Sequence, residues 1–207
     1  KMAKFNLGRL KNIGFQISNS ESEGEENTYY ILSDLDLLPS HDLISDYLKY
    51  PDNPIHLGYL GTRYNMEGKN KTFFGGVIST NETDFTEANG YPNDFWGWGG
   101  EDEALRDRFI KNKINIEKPK EPVIDLEDFT DFKEKNIFLK DNKMKDYKKN
   151  EKLLQDNTEW KNNGLNNIDS SYDIVSEKNY SINGKEYDNV GHIIVKLNIT
   201  DMDKIEL

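Results

Sequence analysis

Short apolar runs alternate with amphipathic segments along the chain. Near the start, Phe5, Leu10, Ile13 and Ile17 recur at the spacing of one helix face. Strands are predicted where apolar runs end in turn residues, at 28–32, 55–60, 73–79, 172–175 and 192–199, the last two forming a hairpin around 183–184. Helices are predicted at 1–17, 40–48, 80–88 and 100–111, with an acidic loop over 18–27. We interpret this set as an α/β fold.

The length of 207 residues suits one domain, or a domain with a tail, with a real hydrophobic core. The segment 133–161 is dense in Lys, Asp and Asn, and we expect it to be mobile or loosely helical. We therefore predict a single domain over 1–207 that contains this charged segment.

The composition excludes some classes of partner. A net charge of −11 argues against nucleic acid or an anionic membrane as the main partner. The sequence has no cysteine and no apolar run long enough to span a bilayer. We expect either a cytosolic protein or a soluble piece of a longer one. Frequent Asn, Lys, Ile and Asp are typical of an AT-rich genome, such as that of a protist or a large DNA virus.

The most informative segment is 95–103, which holds two of the three tryptophans, three glycines and three consecutive acids. Glycines on both sides of Trp98 free the backbone to move or to approach a ligand closely. An indole can stack on a sugar ring, and acids can face its hydroxyl groups. The segment predicts a sugar-binding loop, although Trp98 could also be a core anchor and the acids a plain helix N-terminus.

A second acidic pair, Asp34 and Asp36, follows the strand predicted at 28–32. Residues i and i+2 at a strand end face the same way, which suits a hard cation that bridges to phosphates. The alternative is a solvated turn. Together with the Gly/Trp/acid loop, this pair is typical of a nucleotide-sugar transferase.

Five segments carry a resemblance to a known family. They are Phe5-Asn6 with 10–16, which is similar to a family helix FNRAKLLNVGFQ; 33–39, similar to the metal motif SDVDLIP; 73–77; 89–93; and 96–102. Gly164–Asn167 and the apolar strand 193–199 resemble the C-terminal end of the same family. On these motifs the chain is identified as a member of the β-1,4-galactosyltransferase family, glycosyltransferase family 7. The resemblance implies a GT-A-type, Rossmann-like nucleotide-sugar transferase fold.

The resemblance also implies roles for individual residues. Asp102 corresponds to the general base, and Asp36 to a ligand of Mn²⁺, for which Mg²⁺ is a possible substitute. The residues implied in donor binding are Phe5, Asp34, Asp36, Arg63, Gly76, Trp98 and Glu101. The residues implied in acceptor binding are Tyr64, Phe73, Trp98, Glu101 and Asp102.

The chain departs from the family pattern in its metal ligands. Relatives complete the metal site with a histidine motif after the acid loop, and none of the three histidines here falls in that position. Counting from Pro119, the expected positions are Asp128 and Asp131. Carboxylates suit Mn²⁺ or Mg²⁺, so these two could replace the usual ligands. The alternative is a solvated acidic loop.

The second departure lies at the start of the chain. Relatives begin with a strand that ends in a basic Arg-Asn-Arg motif, which has no counterpart before Phe5. The arginine that follows Phe-Asn in the family is Leu7 here, and the pair Arg63-Tyr64 offsets this loss in part. We therefore expect the fold to lack its first nucleotide-binding strand in this chain.

These features predict a metal-dependent, inverting transferase that moves galactose from UDP-galactose to a hydroxyl of a glycan or glycoconjugate. Two alternatives stay open: a non-catalytic carbohydrate-binding or scaffold domain of the same fold, and an N-acetylgalactosaminyltransferase. Because the chain shows no cysteine, signal or anchor, we expect a cytoplasmic location, in the producing or an infected host cell, over the Golgi lumen in which animal relatives work.

Overall fold

The structure is a computed structural model that describes residues 4–22, 24–145, 148–168, 172–182 and 185–197. The chain divides into two compact units, Lys1–Asn167 and Ile168–Leu207. In the described ranges, no helix is both long and apolar enough to cross a membrane.

The first unit mixes helices with short strands. In chain order its elements are α1 (Leu7–Glu21), β1 (Tyr29–Ser33), β2 (Leu37–Pro39), α2 (Ile44–Tyr47), β3 (Val77–Asn81), α3 (Glu82–Glu87), α4 (Glu101–Lys111), β4 (Val123–Asp125), α5 (Phe132–Asp141) and α6 (Lys149–Glu159). Turns of 3₁₀ helix occur at Leu57–Tyr59, Trp160–Asn162 and Leu165–Asn167. The charged segment predicted at 133–161 thus contains most of α5 and all of α6.

Two antiparallel strand pairs place the acidic residues. β1 pairs with β3 so that Ser33 lies opposite Val77, and β2 pairs with β4 so that Leu37 lies opposite Asp125. The link between β1 and β2 contains both Asp34 and Asp36. The pairing therefore brings the Asp-x-Asp motif against the start of β3 and the end of β4.

Aromatic side chains fill much of the core between α1, β1, β3 and α4. The Phe15 ring lies 4.5 Å from Tyr30 and 4.7 Å from Phe85, and Phe74 lies 6.0 Å from Phe109. Full burial of one such side chain stabilises the fold by about 1.5–3 kcal/mol. A chain with 35% hydrophobic residues thus builds its core from a few large rings.

A buried ion pair fixes α4 against α6. Arg108 is fully buried, and its guanidinium donates to both oxygens of Asp156 at 3.0 and 2.5 Å. The same group donates to the carbonyls of Gly90 and Asn163 at 2.7 and 2.6 Å. Helix α4, which carries the three consecutive acids at its first turn, is therefore held rigidly at its centre.

Several predicted elements differ from the structure, and two short strands were not predicted. The strand predicted at 73–79 lies at Val77–Asn81, and the helix predicted at 40–48 is reduced to Ile44–Tyr47. Helix α1 runs to Glu21, beyond the predicted end at 17, and the hydroxyls of Ser20 and Ser22 bond back to carbonyls of the preceding turn. The strand predicted at 55–60 is wrong. Only Ile55 pairs with Ser79, and a 3₁₀ turn follows at Leu57–Tyr59. The three-residue strands β2 and β4 are too short to show a periodicity in the sequence.

The second unit is an antiparallel hairpin of β5 (Tyr172–Ile182) and β6 (Lys185–Leu197). The two strands predicted in this region are confirmed over the described residues and are longer than predicted. Register shifts occur between Ile174 and Ser176 and between Asn179 and Tyr180. The predicted turn at 183–184 lies outside the described residues.

Candidate active site

The Gly/Trp/acid loop ends in a glycine-built turn that leads into α4. Gly97, Gly99 and Gly100 have φ values of 93°, 105° and 106°, in the left-handed region that favours glycine. A Cβ atom on Gly100 would lie 2.6 Å from the Phe95 ring. Only glycine at position 100 lets the chain turn this tightly against Phe95 and start the helix at Glu101.

The first two acids of α4 each have one carboxylate oxygen shielded from solvent. Glu101 is 6% exposed, and among the described residues neither its Oε2 nor the Oδ1 of Asp102 has a partner. Burial, followed by the charge of Glu101, raises the pKa of Asp102 well above its usual range. Burial also raises the pKa of Glu101. A carboxylate in this environment has a strong tendency to accept a proton.

The Phe-Gly-Gly segment approaches Asp102 closely. A Cβ on Gly75 would lie 2.7 Å from Asp102 Oδ2, and one on Gly76 would lie 2.5 Å from Leu37. The Gly76 carbonyl accepts a hydrogen bond from the Asp34 amide at 2.9 Å. The two glycines therefore bring the Asp-x-Asp motif and Asp102 to opposite sides of one backbone segment.

His56 supports that segment, although the sequence analysis gave it no role. Its Nε2 lies 2.9 Å from the Gly75 carbonyl, and the residue is 1% exposed. Burial lowers the pKa of His56 to about 4, so the ring is neutral near pH 7 and donates from Nε2 to this carbonyl. His56 is not a metal ligand here; it positions the glycines.

Lys11 is the other residue that the sequence analysis missed. It is 9% exposed on α1, and its Nζ lies 2.8 Å from Asp34 Oδ1 and 5.6 Å from the centre of the Tyr91 ring. The available signal was the spacing of Gly8, Lys11 and Asn12, which places three small or polar residues on one helix face. That face packs inward.

Trp98 belongs to an aromatic cluster, which we define as Tyr64, Phe73, Trp98 and Phe132. Neighbouring ring centres within it lie 5.7 to 6.2 Å apart. The Trp98 amide donates to the Met144 carbonyl at 2.8 Å, which ties the loop to the segment after α5. Trp98 is partly exposed, so its indole is available to a ligand.

Arg63 is engaged with acids of the β4 region. Its guanidinium donates to Asp125 at 3.1 and 3.3 Å and to the Glu127 carbonyl at 2.5 Å. Tyr64 and Lys135 both bond to the Glu127 carboxylate. Burial raises the pKa of Asp125, but the Glu127 amide and the Arg63 side chain outweigh this and lower it.

A cavity of about 550 Å³ lies beside this paired network. Its lining includes Arg63, Asp125, Lys69 and Thr130, and it does not include Asp102 or Trp98. The cavity therefore adjoins the predicted donor-binding arginine, while the unpaired acids lie elsewhere.

The predicted metal ligands Asp36, Asp128 and Asp131 are not assembled as expected. Over the ranges that the structure describes, no group of three His, Cys, Asp or Glu side chains could hold a metal ion. Asp131 instead caps α5, where its Oδ1 accepts from the Glu134 amide at 2.8 Å. The arrangement does not support the hypothesis that Asp128 and Asp131 replace the histidine ligands of the family.

Asp36 itself still suits a hard cation. Partial burial raises its pKa, and the charges of Asp34 and Glu127 add to this effect, so a nearby cation would be favoured. Small divalent ions are often held by one or two carboxylates together with substrate phosphates and water. The donor set therefore fits a metal that binds with a diphosphate.

Phe5 lies next to the acid loop. Its carbonyl accepts a hydrogen bond from the Gly97 amide at 2.8 Å, while its ring is 60% exposed. The backbone contact connects the start of α1 to the hinge of the Trp98 loop. The exposed ring is available to stack on a ligand at the mouth of this region.

Comparisons with known proteins agree with this geometry. A family model described as the N-terminal domain of galactosyltransferase matches residues 56–135. The catalytic domain of Drosophila β1,4-galactosyltransferase 7, solved with xylobiose, superposes with a TM-score of 0.70 at 23% identity, covering 99% of this chain and 79% of that one. A mutant of the same fly enzyme, solved with manganese, UDP-Gal and xylobiose, also has a TM-score of 0.70, at 22% identity and the same coverage. The fold is that of a GT-A-type glycosyltransferase.

Sequence relatives identify the family more closely. Rat β-1,4-galactosyltransferase 4 is 33% identical over 177 residues, which are 84% of this chain and 46% of the rat protein. The human β-1,4-galactosyltransferases 4 and 1 are 36% and 30% identical over 119 and 115 residues, about 56% of this chain and 32% and 28% of theirs. The chain belongs to the β-1,4-galactosyltransferase family. It spans about half the length of the curated relatives it matches, or less.

Proposed function

We propose that this protein transfers galactose from UDP-galactose to a hydroxyl of a glycan or glycoconjugate with inversion at the sugar. The observation that supports the proposal is Asp102 at the start of α4, whose Oδ1 is buried without a hydrogen-bond partner among the described residues. It lies against Gly75 and directly follows the glycine-hinged Trp98 loop. The names of the relatives, and the ligands of the fly enzyme, support the choice of sugar and donor.

In the proposed reaction, Asp102 accepts the proton of the acceptor hydroxyl while that oxygen attacks the anomeric carbon of galactose. The bond from this carbon to the diphosphate oxygen breaks, and UDP leaves with the electron pair. Attack from the face opposite the leaving group inverts the configuration, so no covalent enzyme intermediate is formed. Its raised pKa makes Asp102 a better proton acceptor than a solvated aspartate.

The remaining residues bind and orient the two sugars. Asp34, Gly76 and Glu101 lie around the same backbone segment as Asp102, where we place the donor. Tyr64, Phe73 and Trp98 form most of the aromatic cluster, where we place the acceptor and the water-excluding lid. We also assign to the donor Phe5, whose carbonyl bonds to the Gly97 amide, and Arg63, which is paired with Asp125.

We propose Asp36 as the protein ligand of the metal. When bound, Mn²⁺ would supply Lewis-acid neutralisation of the charge that develops on the diphosphate. The Asp36 carboxylate would provide one oxygen, and the diphosphate and water would provide the others.

One observation favours a second candidate function. The absence of a three-residue metal group from the described part of the chain is compatible with a carbohydrate-binding domain that does not catalyse transfer. Such a domain would keep the aromatic cluster, because stacking on sugar rings needs no base.

A transfer assay separates the two functions. The protein would be incubated with UDP-galactose, Mn²⁺ and a panel of glycosides that includes xylobiose, and UDP release and galactosylated product would be measured. We expect product whose new linkage is inverted by NMR, and Asp102→Asn as the matched control should lack it. Glycan binding without any UDP release in the unmutated protein would favour the non-catalytic domain.

A further inference from the structure

We propose that Lys11 is a positioning residue of the transfer reaction, whose buried ammonium group braces the donor-side Asp34 against the base Asp102. The inference rests on the proposed function and extends it to a residue on α1 that carries no assigned role. It follows from the packing of one face of α1 into the acid loop.

The first contact is with the donor side. Lys11 Nζ lies 2.8 Å from Asp34 Oδ1, and the lysine side chain is 8% exposed while that of Asp34 is 31% exposed. An ion pair that is mostly removed from water is held in one geometry more firmly than a surface pair. The Asp34 amide donates to the Gly76 carbonyl, so the backbone of Asp34 is held as well as its side chain.

The second contact is with the acid loop. A Cβ on Gly8, one turn before Lys11, would lie 2.9 Å from the Tyr91 Cβ and 3.5 Å from the Glu101 Cβ. Asn12 bonds to the backbone of Tyr91 through both its side-chain oxygen and its nitrogen, at 2.8 and 2.7 Å. These contacts press the Lys11 face of α1 against the start of α4.

The charged neighbours of Asp102 act on its pKa in opposite directions. Its acidic neighbours are Glu101, Asp34 and Glu103, all of which raise its pKa, while Lys11 lowers it. The other cation of the region, Lys149, is paired with Glu103 at 2.7 Å on α6. Lys11 is thus the neighbour that limits the rise in the pKa of the base.

Lys11 itself stays charged over the working range of pH. Burial would lower its pKa, but Tyr91, Asp34 and Asp102 outweigh burial and raise it above the ordinary value. The brace is therefore a permanent charge, and any pH dependence it produces must come from the acids around it.

Lys11→Leu is a variant suited to folding. Leucine is a strong helix former, and its apolar side chain can occupy the buried space of the lysine stem.

The test compares Lys11→Leu, Lys11→Arg and Lys152→Leu. Lys152 is 8% exposed and donates to the Asp94 carbonyl at 2.5 Å, so it controls for the removal of a buried lysine. We expect Lys11→Leu to lower kcat roughly 10- to 100-fold near pH 7, as small displacements of reacting groups do. The acid limb of kcat/KM should move to higher pH, because Asp102 loses its cation. Lys11→Arg should return the limb toward its original position, and Lys152→Leu should leave it in place.

A second measurement does not need catalysis. In protein with ¹³C-labelled aspartate carboxyls, the Asp102 signal, assigned by its loss in Asp102→Asn, should titrate at higher pH in Lys11→Leu than in the unmutated protein. If the titration moves but no variant transfers sugar, the brace stands and the proposed function is wrong. A folded Lys11→Leu protein with an unchanged titration and pH profile would overturn the brace.

Discussion

Two acidic regions of this molecule differ in whether their carboxylate oxygens have hydrogen-bond partners. In the β4 region, Asp125 and Glu127 are met by Arg63, Tyr64 and Lys135 through short hydrogen bonds. At the start of α4, an oxygen of Glu101 and one of Asp102 are buried with no hydrogen-bond partner among the described residues. Both regions are rich in carboxylates and lie near aromatic rings, so composition does not distinguish them.

The difference suggests that the acids of the β4 region stabilise the fold, whereas those at the start of α4 are suited to proton transfer. A buried acid with its partners in place has a lowered pKa and stabilises the fold, as Asp125 does. A buried acid without them costs stability and gains proton affinity, as Asp102 does. We interpret the stability given up at Asp102, beside a region whose acids are paired, as support for Asp102 as the proposed base.

The largest expected effect comes from removing the unpaired charge. Asp102→Asn keeps the size of the side chain but cannot accept a proton, so we expect turnover to fall about 10²–10⁴-fold, with donor affinity little changed. Steady-state kinetics and UDP binding would check this. A mutant that keeps near-full transfer would show that Asp102 is not the base.

The same substitution should stabilise the protein near pH 7, which separates this region from the β4 region further. The pKa of Asp102 is higher in the folded than in the unfolded state, so its contribution to stability is full at low pH and is lost as pH rises through that interval. One unit of pKa corresponds to about 1.4 kcal/mol. In thermal melts between pH 4 and 8, the melting temperature of the mutant should rise relative to that of the unmutated protein as pH increases.

Removing a charged partner in the β4 region should instead lower the free energy of unfolding. Arg63→Met leaves Asp125 and Glu127 without their guanidinium, and loss of one partner of a partly buried hydrogen bond costs about 1–3 kcal/mol. Urea unfolding would measure the loss, and Arg63→Met with Asp125→Leu should lose less than the two single changes together. Additive losses would mean that the pair is not coupled.

The sequence was enough to predict where the motifs lie along the chain, but not which other residues contact them. The Asp-x-Asp pair, Phe-Gly-Gly and the acid loop could be found because each is a local string with its own chemistry. Lys11 was missed despite its spacing from Gly8 and Asn12. A lysine on a helix is usually solvated, and it is the packing of α1 against Tyr91 and Glu101 that buries this one. His56 was missed for the same reason: its partner is a backbone carbonyl 19 residues away.

The strand predicted at 55–60 shows a related limit. Ile55 and Leu57 are buried, as expected for a strand, but only Ile55 forms β-bridges before the chain turns at Leu57–Tyr59. Burial and apolar spacing over six residues do not decide between a strand and a short turn.

A smaller effect concerns Asp36, which lies between the two acidic regions and feels charges from Asp34 and Glu127. A metal that binds only the folded state at 100 times its dissociation constant adds about 2.7 kcal/mol of stability. We expect Mn²⁺ with UDP to raise the melting temperature, and Asp36→Asn to abolish the rise.

Asp128→Asn is the matched control for the metal. Since the structure groups no third acid with Asp36 in the ranges it describes, the rise should survive this change. A loss equal to that of Asp36→Asn would instead restore Asp128 as a ligand. A melt of the unmutated protein that ignores millimolar Mn²⁺, with or without UDP, would favour the non-catalytic domain.

The smallest expected effect concerns donor choice at Phe73, which joins the two regions through its ring contacts with Tyr64 and His56, at 6.1 and 5.2 Å between centres. The family resemblance implies a tyrosine at this position, with its hydroxyl near the 2-substituent of the donor sugar. Phe73 keeps the bulk of the ring but lacks a hydrogen bond of about 0.5–1.5 kcal/mol. We therefore expect UDP-galactose to be preferred over UDP-N-acetylgalactosamine by a smaller margin than a tyrosine would give. Competition kinetics should show the margin rising in Phe73→Tyr and falling in Phe73→Leu, while a preference for N-acetylgalactosamine in the unmutated protein would reverse the donor assignment.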